Sequence, residues 1–233
     1  MSKTYIFDYG GTLDTGGNHW GQVMWHAYER AHVPVTEEQF REAYVFTERT
    51  LGRRPIIQSD YTFRRTLEMK LRIQMEHLVG QGYWYAAPLE LSQRQSEVLE
   101  DLYALTISQT AKSREVLKRL KEDNRLALVS NFYGNLSEVL REFGFDDIFE
   151  VVVESAVVGV RKPDPAIYRL ALEQLALDNL TEVTVVGDSM KNDIVPAHTL
   201  GLKTILIKGE QWDSAYATDI RPDKVISRLD EIE

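Results

Sequence analysis

The strongest constraint on how this chain folds is the unequal spacing of five short, β-rich apolar runs at residues 5–7, 126–129, 151–153, 183–186 and 204–207. Each is about four residues long and bounded by polar residues or glycine, as strands buried in a sheet are. Between the later runs lie segments of helical period. Val116, Leu117 and Leu120 share one face, then Leu136, Val139 and Leu140, then Ile167, Leu170, Ala171 and Leu175. Strand, helix and strand repeated in this way predict an α/β fold whose parallel sheet is covered on both faces. The first interval breaks the rhythm: roughly 110 residues separate the first two runs, where one crossover helix needs about a dozen. Residues 20–105 are helix-like and rich in aromatic and charged side chains, with breaks at Gly16-Gly17, Gly52 and Gly80 to Gly82. The predicted organisation is a core of residues 1–14 and 106–233, with residues 15–105 inserted as a helical domain over the sheet.

At 233 residues the chain is long enough for a core and an insert. The balance of 27 Lys+Arg against 36 Asp+Glu, a net charge of -9, gives no basic field to hold a polyanionic backbone. That excludes general nucleic-acid binding and leaves a small phosphorylated ligand open. With no cysteine there is no disulfide framework or thiolate metal site, so a reducing cytoplasm is expected. About five strand-like residues precede Asp8, too few for the apolar region of a signal peptide, and no later stretch approaches a membrane span. A soluble monomer without a membrane partner is the expectation.

Four clusters carry potential chemistry, and each falls just after a predicted strand. In an open parallel sheet, ligands bind beyond the carboxyl ends of the strands, so the clusters are expected to meet in space. The first is Asp8 with Gly10, Gly11 and Thr12, a carboxylate that can attack an electrophile or ligate a metal before a glycine turn. Alone, an Asp that orders a turn reads the same. The second is Ser130-Asn131, where a hydroxyl and the following backbone N–H groups can hold an anionic oxygen, although Ser-Asn is also an ordinary turn signal. The third is Lys162 in "GVRKPDP", a compact charge suited to a phosphate or carboxylate and aimed by the proline that follows. The fourth, "VVGDSMKND", brings Asp188, Ser189, Asn192 and Asp193. Carboxylates close to Asp8 are oxygen ligands suited to Mg²⁺, while Asp188 or Ser189 would also cap a helix.

In this order the clusters resemble the haloacid dehalogenase (HAD) superfamily. Its pattern is a nucleophilic Asp in D-x-D-x-T, then Ser or Thr, then Lys, then an acidic pair in G-D-x-x-x-x-D. The runs "GVRKPDPAIYRLAL" and "VTVVGDSMKNDI" carry the resemblance most specifically, and it covers all the core strands. It implies a Rossmann-like core with Asp8 as nucleophile, Ser130 as donor to a phosphate oxygen and Lys162 as the charge that steadies both. It implies Mg²⁺ held by Asp8, the Gly10 carbonyl and Asp188, supported by Asp193 and Asn192. Gly11, Thr12 and Asn131 then adjoin the substrate, and the helical insert is a cap that closes over the site and selects it. The interval from Ser130 to Lys162 has no room for the other kind of cap.

The departure from the pattern is Gly10. In the family's phosphatases an aspartate there protonates the leaving oxygen and later activates water against the aspartyl-phosphate. Glycine can do neither, although its carbonyl can still ligate a metal. General acid–base catalysis is worth about 10² to 10⁴-fold, roughly 3 to 5.5 kcal/mol of barrier. Acyl and aryl phosphates, whose leaving groups need no proton, are least affected. Asp14, whose simpler role is in the turn, and His19 and His26, near Trp20 and Trp25, are the candidate substitutes. The expected function is a Mg²⁺-dependent HAD-type phosphatase of a small phosphorylated molecule, restricted by Gly10. Two alternatives stand beside it: a non-catalytic binding protein for a phosphorylated ligand or protein partner, and a metal-independent 2-haloacid dehalogenase, which also lacks the second aspartate. Phosphonate-cleaving members use a cap lysine instead, but Lys70, the one lysine between Lys3 and Lys112, stands far from the expected early-cap place. Arg53-Arg54 and "GYWYAAP", ending at Pro88, are the candidate substrate contacts of the insert.

Overall fold

In the computed structural model, which describes residues 2–177, 179–212 and 216–232, the strands form one six-stranded sheet. They are β1 (Thr4–Phe7), β2 (Arg125–Ser130), β3 (Val151–Glu154), β4 (Val183–Gly187), β5 (Lys203–Ile207) and β6 (Lys224–Ile226). All pairs are parallel, in the order β3-β2-β1-β4-β5-β6. The five expected strands are present. β6 is additional: with only Val225 and Ile226 apolar, it is too short to show a period in the sequence.

The order follows from the crossovers. The chain leaves β1 for β2 and β3 on one side, then returns past β1 to β4 and β5 on the other, so β1 is the switch point where a ligand crevice forms. Phe7 registers with Leu128 of β2 and Val186 of β4, which brings the carboxyl ends of these three strands side by side.

Between β1 and β2 lie α1 (Trp20–Arg30), α2 (Glu37–Arg53), α3 (Phe63–Gly80) and α4 (Pro88–Asp123). Their starts are locally encoded. Thr36 and Gln39 form a capping box on α2, Thr62 caps α3, and α4 begins with Pro88, whose missing N–H costs nothing at a helix start. The expected boundary at residue 105 falls inside α4, which continues unbroken from insert to core. Leu102, Thr106, Thr110, Ser113 and Leu117 keep one face buried across that point.

The core helices are α5 (Leu136–Glu142), the single turn α6 (Ser155–Val158), α7 (Ala166–Leu175) and α8 (Val195–Thr199). The pleat divides the core in two. Ile6, Ala127, Val129 and Val185 pack with Ile167, Ala171 and Leu175 of α7 on one face, and Phe7, Leu128 and Val186 join the cluster containing Leu117 and Leu140 on the other. Among the described residues no helix is long and apolar enough to cross a membrane.

Candidate active site

Asp8 directly follows β1 and donates its backbone N–H to the Val186 carbonyl at 3.0 Å, so the turn leaves the sheet still tied to β4. Its carboxylate is buried. Ser130, the last residue of β2, donates its hydroxyl to Asp8 Oδ1 at 2.9 Å, and Lys162 Nζ lies 2.7 Å from the same oxygen. Lys162 Nζ also donates to Asp193 Oδ1 at 2.7 Å. Asp193 is wholly buried and takes further hydrogen bonds from the Tyr168 hydroxyl at 3.1 Å and the Ser189 N–H at 3.0 Å. It stands on a wide helical turn, Met190–Ile194, opened by Ser189, whose side chain accepts the Asn192 N–H at 3.1 Å. Gly187 makes room for it: a Cβ there would come within 2.3 Å of the Asp193 carboxyl carbon.

The turn after Asp8 requires a glycine at position 11 for two reasons. Gly11 has φ +93°, and a Cβ on it would stand 2.5 Å from the Asp188 carboxylate. That approach lets Thr12 donate its hydroxyl to Asp188 Oδ1 at 3.0 Å. Gly10 is different. Apart from Gly10 and its two chain neighbours, no described atom lies within 4 Å of a Cβ built at this position, which borders the cavity over Asp8.

Burial pushes the Asp8 carboxyl up to about 6 and Asp193 adds to the rise, while the Lys162 charge and the hydrogen bonds from Lys162 and Ser130 oppose it. Asp188 is pushed well above the carboxylate range by burial and by the charges of Asp193 and Asp8. Burial alone would lower Lys162, but Asp193 and Asp8 outweigh it and hold the ammonium above its ordinary value. The reason for the tension is a count of charges. Among the described residues Asp8, Asp188 and Asp193 bring carboxylate oxygens within 4.8 Å of one another, and Lys162 is the one cation in contact with Asp8 and Asp193. Three carboxylates against one ammonium leave two negative charges, which one divalent cation balances. Asp193 is engaged by Lys162, Tyr168 and Ser189, so Asp8 and Asp188 are the residues that fit Mg²⁺, a cation that takes few carboxylates and keeps several waters.

A cavity of about 240 Å³ stands over these groups. It brings together Asp8, Gly10, Gly11, Ser130, Asn131, Lys162, Asp188 and Asn192, all expected from the sequence. The Asn131 side chain is occupied: Nδ2 donates to the Lys162 carbonyl at 3.0 Å and Oδ1 accepts the Lys162 N–H at 2.9 Å, clamping the lysine loop to the end of β2. Asp14 accepts the Gly11 N–H at 2.7 Å and the Trp20 indole N–H at 2.9 Å, the turn role expected of it. It also borders the cavity, and burial pushes its carboxyl up to about 7. His19 borders the cavity too, with Nδ1 capping α1 through the Gly21 N–H. His26 does not; it pairs on the surface with Glu29 and Glu210 at 2.8 and 3.0 Å. Arg53, Arg54 and the 83–88 segment also lie away from it.

The insert contributes instead Trp20, Met24, Tyr44, Glu48, Phe63 and Lys70. One of these was legible in principle. Lys70 lies on the same helical face as Phe63, Thr66, Leu67 and Gln74 of α3, all buried, so its charge sits in an inward stripe.

Comparison with known proteins agrees with this geometry. A family model described as a haloacid dehalogenase-like hydrolase matches residues 2–201. The chain is 29% identical over 119 residues to the pyrimidine 5'-nucleotidase YjjG of Escherichia coli, covering 51% of this chain and 52% of that protein. It is 37% identical over 99 residues to the glyceraldehyde 3-phosphate phosphatase of Pyrococcus abyssi, 41% of each. The chain thus spans about half the length of the curated relatives it matches. A magnesium-bound structure of YfnB from Bacillus subtilis, described as a HAD-hydrolase, covers 99% of this chain and 96% of its own with a TM-score of 0.62 at 16% identity. A 2-haloacid dehalogenase from Pseudomonas syringae covers 100% and 96% with a TM-score of 0.52 at 24% identity. At these identities the two structures share the fold.

Proposed function

The chain belongs to the haloacid dehalogenase-like hydrolase family, and from that premise we propose that it hydrolyses a small phosphorylated molecule, with Asp8 as nucleophile and Mg²⁺ as cofactor. The observation that carries this reading is the charge balance of the site, three close buried carboxylates around one lysine, which calls for a divalent cation. Asp8, desolvated and oriented by Ser130 and Lys162, attacks phosphorus. A bond forms from its carboxylate oxygen as the bond to the leaving oxygen breaks, and the electron pair departs with that oxygen; water then attacks the aspartyl-phosphate, releasing phosphate and restoring the Asp8 carboxylate, slowly because Gly10 supplies no base. Lys162 offsets the negative charge that Asp8 and the phosphoryl oxygens bring together, and the Ser130 hydroxyl fixes the attacking group. Bound by Asp8, Asp188 and the Gly10 carbonyl, Mg²⁺ would supply electrostatic stabilisation of the phosphoryl oxygens.

With glycine at position 10, the leaving oxygen departs unprotonated, so acidic leaving groups are favoured. The experiment is Mg²⁺-dependent hydrolysis of acetyl phosphate, an aryl phosphate and sugar phosphates, with Asp8→Asn as the blank. Turnover confined to the good leaving groups, abolished in the variant and preceded by a burst, is expected. If wild type and Asp8→Asn are equally inactive throughout, the pocket is a binding site rather than a catalytic one, the reading that Gly10 itself favours. Halide release from a 2-haloacid that EDTA leaves untouched would favour dehalogenation instead.

Metal binding has a predicted pH dependence. Without a cation, Asp8 titrates at about 6, above the ordinary carboxyl, so at lower pH the ion must displace a proton. Mg²⁺ affinity therefore rises with pH through that range, and Asp188, also pushed up by burial, adds to the protons displaced. Calorimetry in two buffers of different ionisation enthalpy should show more protons released near pH 5 than near pH 8. Equal release at both would contradict the assignment of Asp8 as a ligand.

A further inference from the structure

Three polar side chains from separate elements meet in the part of the cavity formed by the insert. Lys70 Nζ of α3 lies 2.6 Å from Glu48 Oε1 of α2 and donates to the Tyr133 hydroxyl, in the loop after β2, at 3.1 Å. The Tyr133 hydroxyl donates to Glu48 Oε2 at 2.7 Å, and the ammonium stands 5.4 Å from the centre of the Tyr133 ring. All three residues border the same cavity as Asp8 and Lys162, and the hydrolytic steps above use none of them. As a stabilising device a partly buried pair of this kind is poor, because desolvation, chiefly of Lys70, offsets much of its Coulomb gain. Its orientation toward a cavity gives it another use.

The chemistry of the cluster defines what it can hold. An ammonium has three N–H donors, and the contacts with Glu48 and Tyr133 occupy two. The Glu48 side chain is about a third exposed, and its Oε2, which accepts one hydrogen bond from Tyr133, keeps a second acceptor position for a ligand. A ligand group that both donates and accepts, a hydroxyl or an amide, satisfies the two together. A carboxylate or a second phosphate is attracted by Lys70 and repelled by Glu48 at similar range, and its desolvation stands uncompensated. Around the cluster the walls are apolar and aromatic, with Trp20, Met24, Phe63 and Leu67.

We propose that Glu48, Lys70 and Tyr133 form the subsite for the leaving-group half of the substrate, taking an uncharged group that bears a hydroxyl or an amide and rejecting one that bears a carboxylate or a second phosphate. The assignment rests on the reading of Asp8, Lys162 and Mg²⁺ as the phosphate end of the cavity.

The test is calorimetric binding to the Mg²⁺-loaded Asp8→Asn protein, which reads affinity independently of turnover. The ligands are three aryl phosphates of similar size, substituted in the para position with hydroxymethyl, ethyl or carboxylate. The hydroxymethyl compound should bind about tenfold tighter than either of the others, the value of hydrogen bonds to charged partners. Adding Glu48→Gln keeps the shape of the side chain and removes its charge. The carboxylate compound should then gain about tenfold while the hydroxymethyl compound, its charged acceptor gone, weakens several-fold, so that the carboxylate compound becomes the tightest of the three, an inversion that loss of packing would not produce. Adding Lys70→Met should reduce the hydroxymethyl compound to the ethyl one. Equal affinities in the parent protein, or an unchanged ranking with Glu48→Gln, overturn the subsite. If none of the three binds and inorganic phosphate does not bind either, the phosphate end has been misread and the subsite falls with it.

Discussion

Lys162→Met should abolish hydrolysis and lower the stability of the protein by about 3 to 5 kcal/mol near neutral pH, the cost of removing one partner from a buried charge network. Methionine nearly matches the volume of lysine, so the loss is electrostatic. It leaves Asp8 and Asp193, each 2.7 Å from the ammonium in the wild type, facing each other without a cation. The pH dependence separates this from a packing defect. Without the lysine, burial raises the Asp8 carboxyl still further above its value in the unfolded chain, so the unfolded chain releases that proton first and the penalty grows as pH rises above about 4. Urea unfolding should therefore show a large deficit near pH 7.5 that mostly closes near pH 4. A deficit equal at both would mean that the side chain serves as filler. Full stability at pH 7.5 would mean that the site tolerates its negative charge without Lys162, and the argument for a divalent cation would weaken with it.

The parts of the molecule legible in the sequence are those whose signal is local. Each of the four clusters follows a strand recognisable from its own residues, and a parallel sheet carries such clusters to one edge whatever lies between them. Asp8, Ser130, Lys162 and Asp188 therefore meet although up to 180 positions separate them. What escaped depends on packing between distant elements. β6 is defined by its pairing with β5, not by its three residues. The continuity of α4 is decided by which face the core covers, which a composition change near residue 105 does not report. The hydrogen bonds of the Asn131 side chain to the Lys162 backbone, 31 positions away, are likewise set by how two loops meet. The Glu48, Lys70 and Tyr133 cluster required knowing how α2 and α3 face the loop after β2. Only Lys70 left a trace, as a charge in an apolar stripe.

Gly10→Asp should raise kcat/KM for alkyl phosphates about 10² to 10⁴-fold while changing that for aryl and acyl phosphates far less, the range that general acid catalysis supplies. The backbone permits it. Beyond its two chain neighbours a Cβ at Gly10 meets no described atom within 4 Å, and the position borders the cavity over Asp8, so the new side chain enters open space beside the reacting groups. The electrostatics favour the protonated form that an acid needs. Burial, with like charge beside it, already holds Asp8 near 6 and pushes Asp188 well above the ordinary carboxylate range, and a further carboxylate placed among them titrates upward for the same reasons. The diagnostic measurement is kcat/KM against leaving-group pKa. Wild type should fall steeply as the leaving group becomes more basic, because its oxygen departs as an anion, and Gly10→Asp should flatten the slope by protonating it. A uniform rise across the series would mean that the new carboxylate acts on the attacking side or on metal affinity. If the wild-type slope is already shallow, an acid is present, and Asp14 is the first residue to test: it borders the cavity and burial holds its carboxyl near 7. In that case Asp14→Asn should steepen the slope of the wild type, and Gly10→Asp should restore it.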